Sequence, residues 1–119
     1  KNVSLQPNRW CISGNQLYHL YEHNIMYTLV ITCSNPAQLI GFYHQNKSPT
    51  SDLSFAKLVP CSPKESLYAW GTPKDAGKVK YTHSDDGVAI YRFETSLPPY
   101  EWLNIARGCY PWLSICLQV

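Results

Sequence analysis

Between residues 26 and 33 the chain reads Met-Tyr-Thr-Leu-Val-Ile-Thr-Cys, and this run restricts the fold more than any other feature. Alternate side chains of a strand share a face, so Tyr27, Leu29, Ile31 and Cys33 point one way and Thr28, Val30 and Thr32 the other. β-branched and aromatic residues dominate it, which suits a half-buried strand better than a helix of the same length. A domain with this strand at its centre must supply a second layer to cover the apolar side.

The rest of the chain supplies short apolar runs separated by turn residues. Arg9 to Ile12 ends at Ser13-Gly14-Asn15, and Leu17 to Tyr21 is too short for periodicity to settle, though strand is the preferred reading. After the turn Ser34-Asn35-Pro36-Ala37, Leu39 to His44 reads as a strand with Ile40 and Phe42 inward. Leu53 to Val59 reads as an edge strand, and Ser66 to Trp70 as another. The segment Gly71 to Gly77 is dense in turn residues. Lys78 to Thr82 and Val88 to Thr95 form a hairpin around His83-Ser84-Asp85-Asp86-Gly87, with Gly87 supplying positive φ. Pro98-Pro99 cannot sit in a central ladder, and Trp102 to Ala106 and Leu113 to Leu117 are the last strand candidates. Turn signals about every ten residues and about eight or nine short strands predict an all-β chain, an immunoglobulin-like β-sandwich, in a single domain over 1–119.

Composition narrows the function. The chain is 119 residues long, 45% hydrophobic and 15% charged, with a net charge of +2. That is too apolar for a disordered chain and too weakly basic for a nucleic-acid surface. Cys11, Cys33, Cys61, Cys109 and Cys116 are dispersed rather than clustered at zinc-ligand spacing, which favours a disulfide-bonded domain from an oxidising compartment, with one cysteine left over and the connectivity open. Asn2-Val3-Ser4 is a glycosylation acceptor in that compartment, and Asn46-Lys47-Ser48 a poorer one because Pro49 follows. No run of eighteen apolar residues is present.

No motif of catalysis appears. His19 and His23 would converge on a metal only on a helix, and the surroundings read as strand, so no metal is expected. A nucleophile has no G-x-S-x-G setting, and Asp85-Asp86 lacks the further oxygens of a calcium loop, so neither an enzyme nor a cofactor is expected. The side chains best suited to gripping another protein are Tyr100 and Tyr110, which offer large contact area at low entropic cost. Trp102 and Trp112 are expected to pack inward. Lys74, Lys78 and Lys80 form a small basic cluster whose default is a solvated face, and Lys74 and Lys78 complete the candidate contact set.

Thr28 to Cys33, Leu67-Tyr68-Ala69-Trp70 before Pro-Lys-Asp-Ala-Gly, Ile90-Tyr91-Arg92-Phe93, Pro99-Tyr100-Glu101 and Trp112 before Cys116 together resemble the luminal domain of the adenovirus early-region-three glycoprotein that retains class I MHC. The outline is also similar to the cytomegalovirus immunoglobulin-like immune-evasion glycoproteins, including the murine family that escorts class I MHC. The resemblance implies a viral ectodomain in the endoplasmic reticulum or at the cell surface, with a membrane anchor beyond residue 119. It also implies a host class I MHC heavy chain, or another immune receptor, as partner. By that analogy Cys11–Cys33 is one bond, whereas general immunoglobulin logic offers Cys33–Cys109. The adenoviral pattern has a cysteine near the place of Trp102, where this chain offers Cys109, so no MHC-contacting residue is transferred. The competing expectations are a β-sandwich module for carbohydrate or a different receptor, and a small secreted hydrolase using Cys and His.

Overall fold

The computed structural model describes residues 23–119. Strands β1 (Ile25–Thr32), β2 (Gly77–Ser84), β3 (Val88–Thr95) and β4 (Ser114–Gln118) form one antiparallel sheet in the order β2-β3-β1-β4. Helices α1 (Pro36–Asn46), α2 (Phe55–Leu58) and α3 (Ser66–Trp70) lie between β1 and β2, and α4 (Tyr100–Cys109) lies between β3 and β4. With the three helices counted as one crossover, the order β-α-β-β-α-β with β1 and β3 adjacent is the split βαβ, or ferredoxin-like, arrangement.

β1 is central for the reason its alternation gives. Tyr27, Leu29 and Ile31 are buried, and the strand pairs on one side with β3 (Leu29↔Tyr91, Ile31↔Ala89) and on the other with β4 (Leu29↔Leu117, Ile31↔Ile115). The β2–β3 hairpin forms as the alternation predicts. Gly87 takes φ +83° there, its carbonyl accepts from the Cys33 N–H at 3.0 Å, and a side chain at 87 would collide with the Cys33 carbonyl.

The sheet's apolar side is covered by helices, not by a second sheet, so the all-β immunoglobulin-like sandwich is replaced by a mixed α/β fold. Leu39 to His44 is the first correction. Asn35 Oδ1 accepts from the Ala37 N–H at 3.1 Å and Pro36 occupies the first turn, so the predicted turn is a helix start. Leu39, Phe42 and Asn46 then recur at helical spacing and are buried, while Ile40 faces out. Trp102 to Ala106 is the second. It lies inside α4, which Pro99 precedes; Trp102, Leu103 and Ala106 are buried on one stripe and Arg107 stands in the last turn. The predicted strands at 53–59 and 66–70 contain α2 and α3. α3 ends at Gly71 with φ +87°, and a Cβ there would lie 3.1 Å from the Tyr100 nitrogen.

The disulfide frame is corrected as well. Cys33, Cys61, Cys109 and Cys116 are free thiols among the described residues, so Cys33–Cys109 is not formed; the Cys11–Cys33 pairing involves Cys11, which lies outside the described residues. The strands expected at 9–12 and 17–21, His19 and the Asn2 acceptor also lie outside them. Among the described residues, no helix is long and apolar enough to cross a membrane.

Every helix contributes to one core. Phe42 of α1, Phe55 of α2, Trp70 of α3 and Trp102 of α4 meet Tyr27, Tyr91 and Phe93 of the sheet. Phe55 joins the layers, with ring centroids 4.9 Å from Trp102, 5.7 Å from Phe93 and 5.8 Å from Trp70. Each such ring contributes roughly 1.5–3 kcal/mol by leaving water. Asp75 fastens α2 to the sheet side. Its carboxylate accepts from the N–H groups of Phe55 (2.6 Å), Ala56 (3.3 Å) and Ala76 (2.7 Å) and from the Ser54 hydroxyl (2.8 Å), an N-terminal cap delivered from about twenty residues away.

Candidate functional site: a cationic cleft beside a bulged edge strand

β2 is an edge strand, and it is irregular where it begins. Gly77 pairs with Glu94 and Lys80 with Arg92, so three steps on β2 face two on β3 and one extra residue is accommodated. That residue is a β-bulge, a feature that turns a side chain away from its regular direction. Lys78 sits in it with φ 49°, a left-handed conformation that costs a non-glycine residue about 1 kcal/mol or more. Its ammonium lies 3.7 Å from Glu94 Oε1 and remains largely in solvent.

The bulge places Lys78 and Val79 on the rim of a cleft of about 960 Å³. Tyr43 and His44 of α1, with Lys47 at its C-terminal cap, form the facing wall, Lys57 comes from α2, and the turn Ser48 to Asp52 closes one end. Tyr43 and Lys47 stand one helical turn apart, and the Lys47 ammonium lies 5.4 Å from the Tyr43 ring centre. The closing turn is held by Ser48 N–H to Ser51 O at 2.8 Å and by Thr50 N–H to Ser48 Oγ at 3.3 Å.

Three lysines, Lys47, Lys57 and Lys78, therefore line a cleft whose lining contains one carboxylate, Asp52, while Glu94 outside the lining pairs with the Lys78 ammonium. That carboxylate is engaged, since the Tyr43 hydroxyl donates to Asp52 Oδ1 at 2.7 Å. The same hydrogen bond, with desolvation, raises the Tyr43 hydroxyl above the ordinary tyrosine range, so it stays a donor. Tyr43 is stacked on Tyr81 at 4.4 Å, which fixes α1 against β2. The lining suits an anion: lysines supply charge and the Ser48–Thr50 turn supplies hydroxyls. Among the described residues, no group of three or more His, Cys, Asp or Glu side chains is arranged to hold a metal ion.

Of the candidates named from sequence, Lys78 lines the cleft. Lys74 is exposed in the turn before β2 and lies off it. Tyr100 is exposed at the first residue of α4. Tyr110 is buried past the other end of that helix, roughly 15 Å along its axis. The Tyr110 hydroxyl donates to Gln45 Oε1 at 2.6 Å and accepts from Asn46 Nδ2 at 3.2 Å, and its ring packs 4.9 Å from Phe42, so it serves the core. The four are not brought together. Asn46 is fully buried, with Nδ2 also donating to the Phe42 carbonyl at 2.9 Å, which leaves no room for a glycan in the folded domain. Trp102 packs inward as expected, whereas Trp112 is half exposed.

Lys47, Lys57, Tyr43 and Asp52 were not singled out from sequence. The signal for Tyr43 and Lys47 was the Asn35-Pro36 helix start, because a helix from Pro36 places those two on one face; Lys57 and Asp52 had none. No family model matches the chain, and comparisons with curated proteins and with solved structures return no match.

Proposed function

We propose that the protein is a binding module that holds a partner protein through an acidic group of that partner seated in the cleft between α1, α2 and β2. The reading is carried by the convergence of Lys47, Lys57 and Lys78, from three different elements, on one concavity whose single lining carboxylate is already occupied by Tyr43. Backbone conformation supports it. A lysine kept in a left-handed bulge is costly to the fold, and such costs collect at sites of use. The immune-evasion partner rested on an immunoglobulin frame that the chain does not build, so the partner is defined here by chemistry: carboxylate-bearing and protein in nature.

The test is a titration of the protein with a glutamate-rich peptide, a serine-rich peptide of equal length and a lysine-rich one, at low and at physiological ionic strength. Only the acidic peptide is expected to bind, with affinity falling as salt screens the exposed lysines over about 8 Å. Lys57→Glu is expected to weaken it by roughly two- to thirtyfold, since each exposed pair contributes about 0.2–1 kcal/mol and reversal doubles the effect. Equal binding of the serine-rich peptide, or indifference to reversal of both Lys47 and Lys57, overturns the proposal.

A further inference from the structure

A second depression, of about 310 Å³, lies further along the same two elements, lined by Pro36, Leu39 and Ile40 of α1, by Tyr81, His83 and Ser84 of β2, and by Asp85 of the hairpin turn. Tyr43 lines the cleft and Tyr81 the depression, so the stack of these two rings stands between two cavities that both lie along α1 and the edge strand. The two ends differ in chemistry. The far end offers the apolar side chain of Ile40, half exposed, and the Tyr81 ring above buried Leu39, with the Asp85 carboxylate at its rim, which favours an uncharged residue there over an acidic one. The near end offers lysines.

The groove's floor is the free side of a sheet. Among the described residues β2 pairs only with β3, so its outer N–H and C=O groups from Lys80 to Ser84 have no partner strand. Edge strands are usually defended by charge, proline or a bulge. β2 carries its bulge and both lysines in its first half, at 77–80, and neither lysine nor proline from Tyr81 to Ser84. The defended half is the half beside the cationic cleft, and an acidic partner is the one its lysines attract rather than repel.

We infer that the groove receives an extended segment of the partner protein, added antiparallel to the outer edge of β2, with an apolar residue in the Ile40 depression and an acidic residue four positions later in the lysine cleft. This deepens the proposed function and rests on it. The spacing follows from the strand. Val79, Tyr81 and His83 all face the helical side. In an antiparallel partner, the residue opposite His83 comes first, the one opposite Tyr81 second along that face, and the one opposite Val79 third. Four residues of strand span roughly 13 Å, which this register sets as the separation of the two side chains. The middle residue lies over the Tyr43–Tyr81 saddle and is small. Main-chain hydrogen bonds supply affinity, and the two end pockets supply selectivity.

The experiment uses the full 119-residue chain and labelled peptides of about twelve residues in a serine and threonine background, read by fluorescence anisotropy. The lead peptide carries leucine and, four residues on, glutamate. We expect it to bind at least tenfold tighter than a peptide with the pair three apart, or one with leucine replaced by serine. Alternate backbone N-methylation in one phase should abolish binding and in the other phase be tolerated, because only every second N–H of an added strand faces β2. Ile40→Asp, at an exposed position, should erase the preference for leucine while keeping the dependence on glutamate, and Lys57→Glu should do the reverse.

Binding that follows the acidic residue but ignores both spacing and N-methylation overturns the groove while leaving the acid-binding reading in place. Binding sensitive to N-methylation but indifferent to glutamate overturns both the motif and that reading. No binding by any acidic peptide also overturns both, and a concentration-dependent rise in mass without peptide shows that a second copy occupies the edge and overturns the groove's assignment to a partner.

Discussion

Replacing Tyr91 by Phe removes one oxygen atom from the middle of the core and nothing else. Tyr91 is fully buried on β3, its ring centre 4.8 Å from Tyr81 and 6.0 Å from Phe42, and its hydroxyl has no hydrogen-bond partner among the described residues. A hydroxyl taken from water without compensation costs about 1–3 kcal/mol, whereas the ring contacts of Phe are the same. The substitution should therefore stabilise the protein by about 1 kcal/mol, raising Tm by about 4 °C or more for a domain near this size. The matched control is Tyr43→Phe, two rings along by way of Tyr81, where the hydroxyl does have a partner in Asp52. That variant should lose about 0.5–1.5 kcal/mol. Urea unfolding followed by circular dichroism measures both, with an unchanged slope showing that the unfolded state is unaffected. Opposite signs for one substitution at two tyrosines of one ring cluster is the expected result. Destabilisation of Tyr91→Phe by 1 kcal/mol or more, on the order of a hydrogen bond's net worth, would refute the reasoning, because it requires the hydroxyl to be bonded in the folded protein.

The remaining predictions concern the cap, the bulge and the alkaline limb. Asp75→Ala should destabilise by about 3 kcal/mol and Asp75→Asn by less, since the carboxylate satisfies three N–H groups and a hydroxyl; a thermal melt that moves by under about 2 °C would show that α2 does not depend on it. Lys78→Gly should raise stability by about 0.5–1 kcal/mol through relief at φ 49° and weaken acidic-peptide binding several-fold, and a loss of stability instead would mean that the Glu94 contact outweighs the backbone cost. Burial pushes Tyr91, Tyr81 and Tyr27 above the ordinary tyrosine range. Their folded values exceed the unfolded one, so this contribution is complete below about pH 10 and is lost as pH rises beyond it. Urea midpoints between about pH 9 and 11 should fall, and fall less in Tyr91→Phe; equal slopes in the two proteins would contradict the assignment.

How much of this was legible in the sequence divides along one physical line. β1, the β2–β3 hairpin and β4 were readable because alternation and a glycine at positive φ are local properties. Helices α1 and α4 were misread because their starts look like turns: Asn35-Pro36 and Pro98-Pro99 are turn residues by composition and helix starts by position. In both cases the arbitrating pattern lay downstream. Leu39, Phe42 and Asn46, and Trp102, Leu103 and Ala106, recur at helical spacing. The cysteines misled for a different reason, since spacing along a chain says nothing about pairing in space.

The misreading of α1 carried through to the site. Laid out as a strand, Tyr43 and Lys47 stand about 13 Å apart; wound as a helix they are neighbours at roughly 6 Å. Only the second geometry lets one wall of a cleft carry both a cation and the hydroxyl that occupies Asp52, with the ammonium 5.4 Å from the ring that the hydroxyl belongs to. Asp52 in turn lies nine residues from Tyr43, beyond a turn that closes only once α1 has ended at Asn46. Lys57 and Lys78 come from elements with no sequence relation to α1, and their arrival at the same place depends on two long-range devices, the Asp75 cap under α2 and the extra residue in β2. A binding surface assembled from a cap and a bulge leaves no contiguous motif. The same two devices are therefore where a substitution should alter recognition without touching the partner: loss of the cap frees Lys57 to wander, and regularising the bulge turns Lys78 back to the open face of the sheet.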